Sequence, residues 1–466
     1  MEGEKDLKKD QTIPVNKNEQ HTVTIEDLTF EGMGVGKING YPLFIEDALP
    51  GEKVEIKIHK TGKTYGYGKV MNRLTSSSDR VPLRNQMYTR TGITPLQHMS
   101  YSAQLAFKKQ QVENVMQRIA RMPEVPVLDT IGMEEPWGYR NKAQVPVRKV
   151  GDLLTTGFYR KNSHDLIPIE DFLIQDPKID QAIIAVRDIM REYGVKPYNE
   201  KDNTGNLRHI VVRRGYHTGE MMIVLVTRTA KLFPTSKIIP DILEALPEVV
   251  SIVQNVNPRG TNVILGEEAI VLHGEDKFTD ELMGNTFEIS HRSFYQVNPL
   301  QTEKLYQTVL DFADMTGEET VIDAYCGIGT ITLALAKKAK EVYGIEIVEM
   351  AVEDAKRNAV LNGVENVTYQ VGAAEEVMLE WSQEERTADL LVVDPPRKGL
   401  EGQFIDAVLE MKPTKMVYVS CNPATLARDV ALLAEGGYSV EKVQPVDMFP
   451  QTTHVESVTL LTRIED

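Results

Sequence analysis

The spacing of hydrophobic and polar positions changes character three times along this chain. Between residues 21 and 75, the segments HTVTIEDLTF, YPLFIED and EKVEIKIHK alternate apolar and polar side chains, as strands with one buried face do. Gly32, Gly34, Gly36, Gly40 and Pro50-Gly51 punctuate them, and the pattern predicts a small five-stranded OB-like β-barrel. TSSSDRVP (75–82) predicts a linker. Helical spacing follows from Tyr101 to Arg121 and stops ahead of Met122-Pro123. From residue 137 to residue 285, strand-like VPVRKV, RHIVVRRG, MMIVLVTR and SIVQNVNP mix with helical DQAIIAVRDIMREYG and TSKIIPDILEAL, which predicts an α+β domain.

From residue 300 onward strand and helix patterns alternate regularly. TVIDAY precedes ITLALAKKA, EVYGIE precedes AVEDAKRNAVLNG, VTYQVG precedes an acidic helix, LLVVDPP precedes FIDAVLEM, and MVYVS precedes TLARDVALLAEGG. Two further strand-like runs close the chain without a helix between them. Such βα units predict a doubly wound, Rossmann-like α/β sheet, with ligands beyond the carboxyl ends of its strands.

Composition narrows the function classes. No apolar run is long enough for a membrane span, and the polar Met1–Gln20 stretch reads as a disordered tail without a signal peptide. Cys326 and Cys421 are the only cysteines among 466 residues, too few for a disulfide framework or a four-cysteine metal site. A reducing cytoplasm is the expected home. The net charge of −16 argues against a polyanion partner until its distribution is read. Residues 311–466 hold 13 Lys+Arg against 28 Asp+Glu, whereas residues 80–164 hold 13 against 6. A basic segment with a net charge of +7 is therefore free to meet nucleic acid. Within it and beyond it lie Arg140, Lys142, Arg148, Lys149, Arg160 and Lys161, then Arg208, His209, Arg213 and Arg214. In the predicted barrel, Phe30, Tyr41, Phe44, Tyr65 and Tyr67 lie among lysines, an interleaving suited to bases and phosphates, although a small barrel needs about half its aromatics as core.

The chemistry is concentrated at the strand ends. Asp323-Ala324-Tyr325-Cys326-Gly327-Ile328-Gly329-Thr330 has two glycines where a strand turns into a helix, letting backbone approach a ligand. Leu333 stands where the full dinucleotide fingerprint needs its third glycine, which weakens a nicotinamide reading. Glu346 ends the second strand, where a ribose diol binds in such folds. In Asp394-Pro395-Pro396-Arg397-Lys398-Gly399, rigid prolines aim a carboxylate at the crevice. Arg397 stands where amine-directed methyltransferases carry an aromatic, and it suits a phosphate. Ser420-Cys421-Asn422-Pro423 puts a thiol at the fifth strand end, placed for nucleophilic attack, with packing as the bland alternative. Cys326 is expected to pack beside the cofactor. Glu456 and His454, at the start of the last strand, are competing proton acceptors by spacing alone.

These residues together resemble the TrmA family of RNA (uracil-5-)-methyltransferases, and most closely its RlmD/RlmCD branch, which modifies 23S rRNA. The resemblance extends from residue 21 onward. It is carried by Phe294-Tyr295-Gln296-Val297-Asn298-Pro299, DAYCGIGT, GIE, DPPRKG, SCNPATLARD and HVES, in that order, and by an opening HTVTIEDLTFEGMGVGK similar to a TRAM domain. It implies an OB-like TRAM domain over 21–79, a central α+β RNA-binding domain over 80–285, and a class I methyltransferase domain over 286–466. It further implies S-adenosylmethionine contacts at Gln296, Tyr325, Glu346 and Asp394, Cys421 as nucleophile and Glu456 as general base. The expected partner is 23S rRNA, methylated at C5 of uridines by a monomer. The tRNA T-loop and a non-catalytic assembly factor are the alternatives. Asn298-Pro299 also reads as a helix N-cap and first helical residue.

Two departures stand out. Asn85, Thr91, Thr94 and a position near Phe172 replace the cysteines that hold a four-iron cluster in many relatives, so no iron–sulfur cluster is expected. Ala373 stands where an acidic residue often meets the adenine.

Overall fold

The computed structural model describes residues 13–231, 234–384 and 386–464. Two compact units emerge: Met1–Thr89 with Ile93–Gln104 and Gln451–Thr453, and Arg90–Gly92 with Leu105–Pro450 and His454–Asp466. The expected tail over 1–20 falls outside the described residues as far as residue 12. Its remainder is folded: Val15 is buried, and the Asn18 N–H donates to the Ile58 carbonyl at 2.7 Å.

The first unit holds β1 (Gln20–Thr24), β2 (Asp27–Leu28), β3 (Gly34–Ile38), β4 (Tyr41–Glu46), β5 (Lys53–Thr61) and β6 (Gly66–Arg73), in the order β1-β5-β6-β4-β3-β2. The sheet thus has six strands where five were expected, because the residues before Gly32 also form the two-residue β2. Alternation is carried through faithfully. Val23, Leu43, Ile45, Val54, Ile56 and Ile58 fill the core, and Tyr41 joins them with its hydroxyl donating to the Gly62 carbonyl at 2.8 Å. Phe44, Tyr65 and Tyr67 instead cluster with one another, their ring centroids 5.0–5.8 Å apart.

The expected linker at 75–82 is fastened rather than loose. Glu52, fully buried, accepts from Arg73, from Arg80 at 2.6 and 2.9 Å, and from the N–H groups of Leu49 and Ser77. A buried carboxylate needs such partners, and only the supposed linker supplies enough of them.

From Leu105 on, α1 (Tyr101–Val115) belongs to the second unit, and its π-helical continuation Met116–Ala120 ends at Arg121 in a left-handed conformation. A central mixed sheet follows from β7 (Lys142–Val150), β8 (Leu153–Tyr159), β9 (Leu166–Pro168), β10 (Leu207–Arg214), β11 (Met221–Thr227), β12 (Val249–Val256) and β13 (Glu268–Gly274), ordered β13-β12-β11-β10-β7-β8-β9. Helices α2 (Pro177–Glu192) and α3 (Thr235–Ala245) cover one face through Ala143, Val145, Ile183, Val186, Ile210 and Ile238. Val211, Met222, Val224 and Val253 face the other way. They join a core with Phe278, Phe287, Tyr295 and Leu305, from β14 (Lys277–Leu282), β15 (Asn285–Ser290) and the segment leading into α4 (Pro299–Ala313). Phe172, named above as lying near a lost cysteine position, packs on Phe158 with ring centroids 3.8 Å apart.

The last third alternates as its sequence predicts: β16 (Thr320–Ala324), α5 (Thr330–Ala336), β17 (Glu341–Glu346), α6 (Glu349–Leu361), β18 (Val367–Val371), α7 (Ala374–Gln383), β19 (Leu390–Val393), α8 (Gly402–Met411), β20 (Lys415–Ser420), α9 (Pro423–Glu435), β21 (Tyr438–Val446) and β22 (Glu456–Arg463). The sheet order is β18-β17-β16-β19-β20-β22-β21. Five strands are parallel and the final hairpin is antiparallel. The order reverses between β16 and β19, which opens the crevice where such sheets bind ligands. Among the described residues no helix is long and apolar enough to cross a membrane.

Glu52→Gln is expected to cost about 3 kcal/mol, because it leaves two arginines facing a neutral amide. Burial opposes ionisation of Glu52, but Arg80 and the backbone donors win and hold the carboxyl down at about 2. Its stabilisation is therefore full above about 4.5 and disappears as pH falls towards 2. Urea unfolding of the wild type and the variant across that range measures both effects.

Candidate active site

Each side of the crevice is built by a strand end. After β16 the chain turns through left-handed conformations at Tyr325 (φ 66°), Gly327 (φ 55°) and Gly329 (φ 85°) before α5 begins. A Cβ at Gly329 would lie 2.6 Å from the Tyr369 hydroxyl, so only glycine fits there. At Gly327 a Cβ would meet nothing within 4 Å, which leaves open space against the backbone of the loop. Glu346, ending β17, accepts from the Gly327 N–H at 3.1 Å and the Val348 N–H at 2.9 Å. Its carboxylate is thereby fixed beside the loop. The Tyr306 hydroxyl meets Thr330 Oγ1 at 2.8 Å and ties α4 to the same turn.

Gln296 is buried in the segment ahead of α4. Its carbonyl accepts from Asn141 Nδ2 at 3.1 Å, while its own side-chain amide has no hydrogen-bond partner among the described residues. Asn298 caps α4, accepting from the Gln301 N–H, and its Nδ2 donates to the Met448 carbonyl at 3.0 Å. A free amide, a fixed carboxylate and an open glycine turn fit a nucleoside cofactor carrying a ribose diol and an amino-acid end.

The other wall carries Asp394, Cys421 and Glu456. Ladder pairs Val393↔Tyr418 and Ser420↔Ser457 put the three strand termini on one edge. Cys421 lies one residue past the last β20–β22 pair, and Glu456 is the residue directly before Ser457, where it pairs with Val446. His454 lies before the strand begins, its ring edge-on to Phe449 at 6.1 Å. Glu456 is buried, and burial together with Asp394 pushes its carboxyl well above the usual range, against the pull of Arg397. Burial does the same to Asp394. Both carboxyls at the thiol therefore hold their protons more tightly than carboxyls in water.

Cys421 is half-buried, and burial, Glu456 and Asp394 all raise its thiol, while Arg397 and a backbone hydrogen bond lower it. The sequence left open what could stabilise a thiolate here. Two features now offer it: Arg397, and the start of α9, whose cap Asn422 directly follows the cysteine. Cys326 differs. It is buried beside Gly344, and burial with Asp323 and Glu346 drives its thiol far up.

Sequence reasoning missed the groups that hold the Asp394–Gly399 turn. The Arg397 carbonyl accepts from Asn422 Nδ2 at 3.1 Å, and the Arg428 guanidinium donates to the carbonyls of Lys398 and Leu400. Asp429, fully buried, accepts from the Leu400 N–H at 2.8 Å and the Tyr418 hydroxyl at 2.7 Å. A Cβ on Gly399 would sit 2.4 Å from that carboxylate. The adjacent Arg428-Asp429 in the quoted SCNPATLARD run was the available signal. Asp323 was also passed over: it is buried, accepts from Thr332 Oγ1 at 2.5 Å, and keeps Oδ1 unpartnered.

A family model described as tRNA (Uracil-5-)-methyltransferase matches residues 259–464, and a TRAM domain model matches residues 14–71. The chain is 66% identical over 453 residues to an uncharacterized RNA methyltransferase of Enterococcus faecalis, covering 97% of this chain and 99% of that one. It is 55% identical over 448 residues to another from Listeria innocua, covering 96% and 98%. Among solved structures, the Pyrococcus abyssi tRNA (uracil-54, C5)-methyltransferase in complex with S-adenosyl-L-homocysteine superposes with a TM-score of 0.76. It is 28% identical, over 95% of this chain and 99% of that one.

The two thiols are expected to differ in reactivity. Iodoacetamide should label Cys421 in the native protein and leave Cys326 unmodified, with labelling of Cys421 accelerating only at alkaline pH, since burial, Glu456 and Asp394 raise its thiol. Peptide mass spectrometry reads both, and equal labelling would contradict the burial argument.

Proposed function

The chain belongs to the tRNA (uracil-5-)-methyltransferase family, with an added TRAM domain, and from that premise we propose that it methylates C5 of uridines in 23S rRNA. The observation that supports this reading is the placement of a half-buried thiol, Cys421, just past the end of β20 and of a buried carboxyl, Glu456, at the start of the neighbouring β22, on the ligand edge of the sheet.

Gln296, Tyr325, Glu346 and Asp394 are proposed to hold S-adenosylmethionine, whose sulfonium supplies an electrophilic methyl group. Uracil C5 is too weak a nucleophile to take that group unaided. Cys421 adds as thiolate to C6, and the electron pair of the C5–C6 double bond moves towards C5 and O4. C5 would form its bond to the methyl carbon as the methyl–sulfur bond breaks and a neutral thioether leaves, Glu456 accepts the C5 proton, and elimination breaks the C6–S bond to return the thiolate. Burial and Asp394 raise the Glu456 carboxyl, so that once ionised it is a stronger proton acceptor than a carboxylate in water. Arg397 and the start of α9 stabilise the thiolate as it forms and departs. A paired base cannot reach such a crevice, so the uridine is single-stranded or flipped out.

In this reading residues 21–79 and 80–285 bind RNA and residues 286–466 carry the chemistry, in a cytoplasmic monomer. The tRNA T-loop is the second reading, favoured by the likeness to the archaeal tRNA (uracil-54, C5)-methyltransferase. The intact Cys421, Glu456 and Gln296 speak against a non-catalytic assembly factor.

RNA containing 5-fluorouridine should form a gel-stable covalent adduct with the wild type, because fluorine does not leave as the C5 proton does. Cys421→Ala should abolish it. Glu456→Gln should bind RNA and cofactor yet lose turnover by at least about a hundredfold, and normal turnover would remove it as the base. For the target, mass spectrometry of rRNA and tRNA from a deletion strain should show 5-methyluridine missing from 23S rRNA. Loss from tRNA alone would transfer the assignment to the T-loop.

A further inference from the structure

The basic residues singled out in the sequence do not share one fate. Arg148 bonds Glu200 and the Tyr159 hydroxyl, and Arg208 is sunk among the carbonyls of Asn257, Arg259 and Thr261. Arg213 donates to the carbonyls of Ser290 and Ser293 at 2.7 and 2.9 Å, and Arg214 pairs with Asp176 at 2.7 Å. Lys149 pairs with Asp152 at 3.1 Å, Arg160 and Lys161 are exposed and His209 is buried, which sets apart Arg140 and Lys142. Both are half-buried, and neither side chain has a hydrogen-bond or ion-pair partner among the described residues. Their nitrogens keep some access to solvent, since none counts among the fully enclosed unpartnered atoms.

Their placement is electrostatically unfavourable. Lys142 stands directly across the β7–β10 ladder from the buried Arg213, a like-charge pair that costs stability. The adjoining loop over 169–176 carries three carboxylates: Glu170 pairs with Arg187, Asp171 is exposed, and Asp176, whose N–H donates to the Arg140 carbonyl, pairs with Arg214. Burial, reinforced by Arg213 and Arg140, pulls the Lys142 ammonium down to about 8. Cations so placed call for an anion from outside the chain.

Location says which anion. Asn141, between the two cations, donates its N–H to the Val297 carbonyl at 2.9 Å and its Nδ2 to the Gln296 carbonyl. The pair therefore adjoins the segment assigned to the cofactor. S-adenosylmethionine carries net positive charge, so a group of cations repels it overall. A phosphodiester is singly negative and exposes two oxygens, one for each head group. We propose that Arg140 and Lys142 form a binding site for a backbone phosphate of the substrate RNA, next to the Gln296 segment. This rests on the reading of the protein as an RNA uridine methyltransferase.

The test compares the full-length wild type with Arg140→Gln, Lys142→Met and their double variant. Fluorescence anisotropy with a labelled single-stranded oligouridylate and with a 23S rRNA transcript is followed across a salt series, and S-adenosylhomocysteine affinity is measured by calorimetry. The double variant should bind both RNAs about tenfold more weakly, with the slope of log K against log salt reduced by about 1. Its cofactor affinity should be unchanged. Lys142→Met should also unfold at a higher temperature without RNA, because it removes an uncompensated cation. RNA affinity and slope equal to wild type would overturn the phosphate site. So would a loss confined to S-adenosylhomocysteine, which would assign the cations to the cofactor carboxylate. If Lys142→Met unfolds early, Lys142→Arg keeps the charge and should restore binding, and its failure to do so would also overturn the site. A wild type that binds neither RNA would defeat the methyltransferase reading itself, whereas strong wild-type binding with unaltered variants defeats only this site.

Discussion

Strand β22 runs against its neighbour β20, so its first residue rather than its last arrives where the parallel strands end. Glu456 is that residue, and it meets an edge already carrying the thiol after β20 and the carboxylate after β19. Had the hairpin continued the parallel pattern, a carboxylate at the start of β22 would lie at the far edge of the sheet. The chemistry proposed for the crevice depends on that one antiparallel pairing.

Bringing the three groups together has an electrostatic consequence. Two buried carboxyls repel ionisation of one another and of the thiol, and Arg397 together with the start of α9 pulls the other way. The balance leaves a thiol largely neutral at rest and within reach of activation. It holds only while Arg397 stays in place, and that is the task of Asn422, Arg428 and Asp429 on α9. The geometry of the Asp394–Gly399 turn is thus held by a helix cap, Asn422, and a buried carboxylate, Asp429.

The central sheet shows the opposite arrangement, charge without compensation. Stability alone would favour an apolar residue at Lys142, opposite Arg213. A residue kept against that preference is best understood by what it meets when RNA is bound. The buried Glu52 offers the contrast: there the chain supplies its own arginines, and the result is structural.

Periodicity in the sequence determined a good deal. The strand–helix alternation from 320 onward, the barrel strands and the caps Asn298 and Asn422 follow local rules, because a strand's faces and a helix's first turn are set by neighbouring residues. Linked motifs also marked residues that lie at the carboxyl ends of these strands. Tertiary structure alone decided that Arg80 closes on Glu52 instead of lying in a linker, that Tyr41 is core while Phe44, Tyr65 and Tyr67 cluster together, and that Asp429 secures the turn below Arg397. It also separated the satisfied arginines from Arg140 and Lys142, which look alike as letters. The physical reason is common to all of these: whether a charge is paired depends on groups far away in the chain, and only packing brings them within hydrogen-bond reach.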